Sequence, residues 1–307
     1  MQLIARFSLL LGPALLFAIG CAGPDRRDSP KPTDPVAPAG SMPSSSPRAN
    51  EASPELPEES IAAAPLGIIL DPSAGEPIAR WLLFYDRVAS AASALVTEEP
   101  EELLSTLGTE WCYEDDDGWH AVFGRYGEEA GDFEPVLHYQ VDGEFVARKS
   151  EAVIPAEKAR AYPHAIQASA PLLEEQLGDL PLRMNTYVRP VEEGLDVWFL
   201  PAPLNDGRCL AGGEFCFHFD GEGKQFLGKD VIFTKFLAFT PGPESRIILT
   251  DAGRDQPSVG NLFFAYSHYS QFDSIKIETD VRQSLLAKYN DQFSWIHMEK
   301  SPVENRE

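Results

Sequence analysis

The segment that most limits the fold of this chain is a long proline-rich stretch, residues 22–60. It contains nine prolines, at positions 24, 30, 32, 35, 38, 43, 47, 54 and 57. Only Val36, Met42 and Leu56 add apolar bulk, so the stretch cannot bury enough surface to offset the entropy lost on ordering. We therefore expect a disordered spacer that reaches between roughly 35 and 120 Å, with a folded domain beginning only after it.

A short N-terminal segment precedes the spacer. It has one basic residue, Arg6, followed by an apolar run over residues 7–20. At about 14 residues the run is shorter than the roughly 20 needed to span a bilayer, and it fits the core of a secretory signal. The sequence thus predicts a signal peptide over residues 1–20 and an exported chain that begins at Cys21.

The end of the apolar run, Ala18-Ile19-Gly20-Cys21, resembles the lipobox of bacterial lipoproteins. In that family the cysteine is diacylated and becomes the acylated N-terminus after cleavage. The resemblance implies lipidation of Cys21, and Ala22 in the next position implies the outer membrane, because Asp there favours inner-membrane retention. Each buried CH₂ contributes about 0.8 kcal/mol, so two or three chains form a lasting anchor. The alternative is an ordinary signal peptide cleaved near Ala22, with Cys21 incidental.

After the lipidated cysteine and its tether, residues 21–60, the body of the chain spans residues 61–307. This length is sufficient for a proper hydrophobic core. The body has no second proline-rich linker, no repeat with a period of 20–50 residues and no apolar run of membrane-spanning length. These features favour a single acidic domain.

The charge of the chain limits its partners. The formal net charge is −23 at pH 7, and most of it falls on the body. Nucleic acids and anionic membrane surfaces are bound through Lys and Arg clusters, so the composition argues against both as partners. The expected partners are the membrane, reached through the lipid anchor, and an envelope protein or glycan. Nothing in the sequence indicates a cofactor.

Hydrophobic periodicity predicts an α+β domain, with N-terminal helices followed by a mainly antiparallel β-sheet. Helices are expected over residues 77–96, 98–107, 164–177 and 281–289. Pro163 and Pro171 are expected at or near the first turns of the third helix. Strands are expected over residues 119–125, 135–141, 182–189, 195–200, 214–220, 225–227, 247–249, 262–269, 274–279 and 293–298.

The clearest amphipathic strand spans residues 214–220. Phe215, Phe217 and Phe219 alternate with polar residues, so the aromatic rings share one face and Cys216 and His218 share the other. The Asp-Gly-Glu-Gly sequence that follows predicts a turn into the next strand.

The region around this strand resembles uncharacterised bacterial exported proteins. The resemblance is carried by Trp-Phe-Leu-Pro-Ala-Pro at 198–203, Ala-Gly-Gly-Glu at 211–214 and Phe-Asp-Gly-Glu-Gly at 219–223. It covers about 40 residues, and its motifs are typical of turns between strands. It therefore implies β-structure and no particular activity.

Three cysteines remain if Cys21 is lipidated, and an exported protein can form disulfides. Cys209 and Cys216 flank Gly212 and Gly213, which suit a turn that would bring two strand ends together, so a Cys209–Cys216 disulfide is the favoured pairing. Cys112 would then be a buried thiol. The alternative pairs Cys112 with one of the other two.

A metal site is the next candidate, because Cys216 and His218 point the same way on their strand and are flanked by Glu214 and Asp220. The sequence has no CxxC, HxH or HExxH motif, so a polar strand face without a metal is favoured. The acidic run at 114–118 lacks the ligand spacing of an EF-hand loop and favours a simple turn.

Catalytic motifs are missing from the sequence. There is no GxSxG nucleophile elbow and no phosphate-binding glycine motif. Ser267 and His268 are neighbours on an expected strand, so they would point to opposite faces and could not form a dyad. No catalytic residue is therefore assigned.

Together these features favour a lipid-anchored cell-envelope protein, facing the periplasm or the cell surface, whose body is a non-enzymatic binding or assembly module. The alternative is an envelope hydrolase with a dispersed carboxylate or metal site.

Overall fold

The computed structural model describes residues 68–69, 74–127, 132–232, 236–289 and 292–300. Within these residues the α-helices are α1 (Glu76–Val96), α2 (Glu101–Leu104), α3 (Ala156–Leu177) and α4 (Val259–His268), and a 3₁₀ turn spans Tyr269–Gln271. Residues 1–60, with Cys21, the predicted signal peptide and the proline-rich stretch, lie outside the described residues, so the interpretations placed on them stay predictions. In the described part of the chain, no helix combines the length and apolar character needed to cross a membrane.

The strands before α4 are β1 (Ile68–Ile69), β2 (Thr109–Asp115), β3 (Gly118–Tyr126), β4 (Phe133–Val141), β5 (Ala147–Lys149), β6 (Met184–Val191), β7 (Gly194–Pro201), β8 (Cys209–Ala211), β9 (Glu214–Phe219), β10 (Phe226–Ile232), β11 (Leu237–Phe239) and β12 (Gly242–Asp251). Those after α4 are β13 (Phe272–Thr279), β14 (Arg282–Tyr289) and β15 (Gln292–Glu299).

These strands form four sheets within the described residues. Their orders are β1-β15-β14-β13-β12, β10-β9-β7-β6, β2-β3-β4-β5 and the pair β11-β8. Pairing is antiparallel throughout except between β12 and β13, which are parallel and joined through α4. The fold is therefore α+β with mainly antiparallel sheets, as the sequence predicts, although helices and strands are interspersed along the chain.

Helix α1 confirms the prediction for residues 77–96. Pro77 lies in its first turn, where its missing N–H costs nothing. Leu82, Tyr85 and Val88 recur at helical spacing and are almost fully buried in the larger of the two hydrophobic cores that the described residues form. The Tyr85 hydroxyl also accepts a 2.8 Å hydrogen bond from the backbone N–H of Cys112, which ties the helix to β2.

In the sheet β10-β9-β7-β6 the two central strands, β7 and β9, are largely buried on both faces, and β9 confirms the predicted alternation. Phe215, Phe217 and Phe219 lie in the smaller core, which also includes residues of α3. Cys216 points to the opposite face and belongs to the larger core with Trp198. The two faces of this sheet therefore separate the two cores.

The prediction of a strand over residues 262–269 is wrong, because this segment belongs to α4. Five consecutive residues, Leu262 to Tyr266, are buried there. A helix enclosed on all sides is apolar all round, so its periodicity does not distinguish it from a buried strand. The Ser258 side chain caps the helix by accepting a 3.2 Å hydrogen bond from the backbone N–H of Asn261.

The prediction of a helix over residues 281–289 is also wrong, because the segment is strand β14. It lies between β13 and β15, and its alternating burial at Ser284 and Leu286 is that of a strand. Its sequence alone contains residues that suit either structure, and the two neighbouring strands decide the outcome.

Two other helices have different bounds from those predicted. The helix expected over 98–107 is only the single turn α2, because the residue before Pro100 is disfavoured in a helical conformation. Helix α3 begins at Ala156, so Pro163 and Pro171 lie inside it and not at its first turns.

Candidate functional site

A cavity of about 190 Å³ lies beside α4, where β8, β9 and β12 meet the start of the helix. One side of it is apolar, formed by Leu210, Ile248, Phe263 and Phe264 among others. The other side is polar and is formed by Glu214, Asp251, Ser258 and Asn261. Such a combination of an apolar wall and a few convergent polar groups is typical of small-ligand sites.

Asp251 is held at the end of β12 by the first turn of α4. Its carboxylate accepts a 2.8 Å hydrogen bond from the backbone N–H of Ser258 and a 2.9 Å hydrogen bond from the Asn261 side chain. The partial positive charge at a helix N-terminus also favours an anion here. Asp251 is 5% exposed, and these contacts provide the partners that a buried carboxylate requires.

Glu214 is the second buried carboxyl group of the cavity, with 4% of its surface exposed. Gly212 and Gly213 precede it with φ angles of 88° and 73°, a left-handed conformation that favours glycine and lets the chain turn into β9. Its carboxyl group accepts a 2.5 Å hydrogen bond from the backbone N–H of Gly260. The turn and the helix thus hold this side chain against the cavity.

The environment of Glu214 favours its protonated form. Burial raises the pKa of the carboxyl group to about 7, against the hydrogen bond from Gly260. The Asp251 carboxylate raises the pKa further, and the Arg254 guanidinium opposes this. Near pH 7 the protonated and the charged forms of Glu214 are therefore both populated. A cation bound beside the group would shift this balance towards the charged carboxylate.

His268 also lines the cavity, and it contacts Cys209. The Cys209 Sγ atom lies 3.4 Å from His268 Nδ1 and 3.1 Å from Gln271 Oε1. Burial lowers the pKa of the His268 imidazole to about 4, so the ring is neutral at pH 7. An imidazole with a lowered pKa is a weak base towards the neighbouring thiol.

The predicted disulfide between Cys209 and Cys216 is not present in the structure. Cys112, Cys209 and Cys216 are all buried thiols. The turn at 212–213 directs the two cysteines into different sheets. Cys209 lies on β8, which pairs with β11, and Cys216 lies on β9 opposite Trp198 of β7. Each sulfur instead has a histidine as its neighbour, His268 for Cys209 and His218 for Cys216.

The pair Cys216 and His218 does share a face of β9, as predicted, but the two flanking acids are elsewhere. Glu214 lies in the cavity, and Asp220 stabilises the next turn by accepting hydrogen bonds from the backbone N–H groups of Lys224 and Gln225. The acid beside the pair is Asp196, directly opposite His218 on β7. The alternation in β9 indicated which side chains share its face, but not which strand lies beside it.

His218 bridges two carboxylates. Its Nδ1 lies 2.8 Å from Asp196 Oδ1, and its Nε2 lies 3.2 Å from Asp230 Oδ2. Burial disfavours the imidazolium, but the hydrogen bonds to these two carboxylates raise the pKa of His218 above its usual value. Asp196 also forms a 2.9 Å ion pair with Arg189.

A second histidine cluster was not anticipated from the sequence. The acidic run at 114–118 includes the end of β2 and the tight turn at 116–117 that leads into β3, as expected, and Asp115 Oδ1 lies 3.1 Å from His120 Nε2. His120 Nδ1 lies 3.0 Å from His138 Nε2, and the other ring nitrogen of His138 faces the Ala152 carbonyl at 3.2 Å. Burial lowers the pKa of His138, and the neighbouring His120 adds to this effect.

Comparison with known proteins gives no further guidance to the function. No protein-family model, no curated protein and no solved structure matches this chain.

Proposed function

We propose that this chain is a lipid-anchored cell-envelope protein whose α+β body is a non-enzymatic module that binds a small amphipathic cation in the cavity beside α4. The observation that carries the binding role is the buried Glu214 carboxyl group at the polar side of a cavity whose other side is apolar. The lipobox-like sequence at Cys21 and the proline-rich spacer support the envelope location.

The chemistry of the polar side favours an ammonium group as the ligand head. Asp251 already has two hydrogen-bond donors, whereas burial and the neighbouring Asp251 raise the pKa of Glu214 to about 7, so that this carboxyl group carries a proton in part of the molecules at neutral pH. An ammonium group would displace that proton and form a charge-assisted hydrogen bond with the carboxylate. The apolar wall would contact the hydrocarbon part of the ligand.

The volume of the cavity limits the ligand to a small molecule. A protein cavity of about 150 Å³ holds benzene. A cavity of about 190 Å³ therefore fits a ligand of about six to eight non-hydrogen atoms. Benzylamine and n-pentylamine are suitable probes, and n-pentanol is a neutral control of matching length.

The binding role is tested by calorimetric titration of the full chain, purified in detergent, with these three compounds. We expect the amines to bind with release of a proton, seen as a dependence of the heat on the ionisation enthalpy of the buffer, and to bind at least tenfold more tightly than n-pentanol. Glu214→Gln should remove this preference. Glu222→Gln, an exposed acid of the 220–223 turn, is the control and should keep it. Failure of both amines to bind would exclude the proposed ligand class.

The envelope location is tested separately by fractionation of cells. Cys21→Ser should move the protein from the membrane fraction to the soluble fraction, because the acyl chains provide the anchor. Cys209→Ser removes a cysteine of the body and should leave the distribution unchanged. Retention of Cys21→Ser in the membrane would contradict lipidation at this position.

The second candidate is an envelope hydrolase that uses Glu214 as a general acid or base. The observation that favours it is the pKa of about 7, which suits proton transfer at neutral pH. Hydrolysis of ester or glycoside probes that is lost in Glu214→Gln, while amine binding is absent, would support this alternative over the binding role.

A further inference from the structure

One face of the sheet β10-β9-β7-β6 has a row of polar side chains that crosses all four strands. In the pairing register Arg189 of β6 lies opposite Asp196 of β7, which lies opposite His218 of β9. Asp230 of β10 lies opposite Cys216, two residues before His218 on the same strand. The row is separate from the cavity beside α4 and does not take part in the proposed ligand site.

Three atoms of different chemistry converge in this row: Asp196 Oδ1, Cys216 Sγ and His218 Nδ1. All three lie within 4.8 Å of one another. The nitrogen and oxygen are 2.8 Å apart, and the sulfur and nitrogen are 3.9 Å apart. Tetrahedral zinc requires about 3.3 Å between its nitrogen and oxygen ligands and about 3.6 Å between sulfur and nitrogen. To admit the ion, these two separations would have to shift by about 0.5 Å or less, and the sulfur–oxygen separation, which lies within 4.8 Å, would have to become about 3.6 Å.

We propose that Asp196, Cys216 and His218 form a binding site for a divalent transition metal ion, with Zn²⁺ as the best fit. One thiolate, one imidazole and one carboxylate are the ligand types that zinc accepts in proteins. Ca²⁺ and Mg²⁺ prefer sites made only of oxygen atoms. Three protein ligands leave the fourth position of a tetrahedral ion to water or to an external molecule.

Neighbouring side chains form hydrogen bonds to two of these three ligands, and such bonds are typical of metal sites. The other ring nitrogen of His218 faces the Asp230 carboxylate at 3.2 Å, and the second oxygen of Asp196 is held by Arg189 at 2.9 Å. Metal-bound histidines almost always donate their second N–H to a carboxylate or carbonyl, and metal-bound carboxylates are hydrogen-bonded in turn. Both arrangements are already formed here.

The row is buried at Cys216 and Asp196 and exposed towards Asp230, so it has a route to solvent at one end. Cys216 is completely buried, and Asp196 is 6% exposed. The His218 side chain is 35% exposed, and Asp230 beyond it is 74% exposed. An ion can therefore reach the ligands past His218. On binding, the Cys216 thiol loses its proton to solvent, as does His218 Nδ1 if it carries one, so the incoming positive charge replaces protons.

Titration of the metal-free full chain with Co²⁺, in the presence of a non-coordinating reductant, tests this proposal. Cobalt is used because a thiolate bound to it gives a near-ultraviolet charge-transfer band, and tetrahedral coordination gives intense visible bands. We expect saturation at one equivalent, and loss of these bands when Zn²⁺ is added. The charge-transfer band should be absent in Cys216→Ser and should persist in Cys209→Ser, a matched buried cysteine outside the row.

A second variant keeps the test independent of folding defects. Asp230 is exposed, so Asp230→Asn should fold normally and yet weaken Co²⁺ binding by roughly 10- to 100-fold, because it removes the carboxylate behind His218. Absence of the charge-transfer band in the wild type, or its persistence in Cys216→Ser, would overturn the proposal. Unchanged affinity in Asp230→Asn would also count against it. The row would then be a set of ion pairs around the His218 imidazolium.

Discussion

The Glu214 carboxyl group and the backbone N–H of Gly260 are joined by a 2.5 Å hydrogen bond that links the start of β9 to the first turn of α4. A methyl group at position 260 would lie 2.8 Å from Glu214 Oε2, so the contact requires a residue without a side chain there. A donor at a helix N-terminus stabilises the carboxylate. Burial nevertheless outweighs it, and the pKa of Glu214 is raised to about 7.

The first prediction concerns Glu214→Gln and the dependence of stability on pH. Because the pKa of Glu214 rises from its usual 4.5 to about 7 on folding, the folded protein binds more protons than the unfolded chain between these values. This group therefore lowers the free energy of unfolding as the pH rises through that window. Glutamine does not titrate, so the variant should be more stable than the wild type at pH 8 by up to roughly 3 kcal/mol.

Urea unfolding of the wild type and Glu214→Gln at pH 5 and pH 8 measures this effect. The advantage of the variant should shrink at pH 5, where the wild-type carboxyl group is protonated when folded. Glu222→Gln provides a control with an exposed carboxylate. An equal difference between wild type and Glu214→Gln at both pH values would show that the side chain does not titrate as described.

The second prediction compares two substitutions of glycine by alanine. Gly260→Ala places a Cβ atom 2.8 Å from Glu214 Oε2 and 3.1 Å from its Cβ, so the buried Glu214 side chain must move and its hydrogen bond to the backbone N–H of residue 260 is distorted. We expect a loss of about 1–3 kcal/mol. Gly143→Ala meets no atom within 4 Å, and it should be neutral or stabilising by up to about 1 kcal/mol. Thermal unfolding of both variants checks this, and similar stabilities for the two would contradict the packing argument.

The third prediction concerns His138 and acid stability. Burial and the neighbouring His120 lower the pKa of His138 on folding, so below pH 6.5 the folded protein binds fewer protons at this residue than the unfolded chain. The stability that the neutral His138 ring contributes is therefore fully present above pH 6.5, and it is lost as the pH falls from 6.5 through the lowered pKa of the folded protein. Chemical unfolding between pH 7 and pH 5 should show a shallower loss of stability in His138→Gln than in the wild type. Parallel pH profiles would rule out this role.

The fourth prediction concerns the oxidation state of the body. Cys112, Cys209 and Cys216 are thiols with no more than 2% of their surface exposed. Without reductant, an alkylating reagent should leave them unmodified in the native protein and modify all three after denaturation, as measured by mass spectrometry. Modification of Cys112 alone would instead reveal the Cys209–Cys216 disulfide that the sequence favours.

The local pattern of apolar and polar residues was sufficient to predict a helix or a strand where the element has a regular apolar spacing. Helix α1 and strand β9 are examples, because the apolar spacing in each matches a single period over enough residues. The pattern was insufficient for α4, which is buried on all sides, and for β14, whose pairing with β13 and β15 determines its conformation. In both segments tertiary packing outweighs local preference.

At the candidate sites, too, the local sequence pattern predicted some relationships and only the tertiary structure decided the others. The sequence by itself determined that Cys216 and His218 share a face of one strand, because side chains alternate strictly along a strand. Only the tertiary structure decided that Asp196, 22 residues before His218, lies opposite it, and that Glu214 faces the first turn of α4. Both relationships depend on strand register and on the docking of a helix. These are set by long-range packing, which leaves no signal in the local spacing of residues.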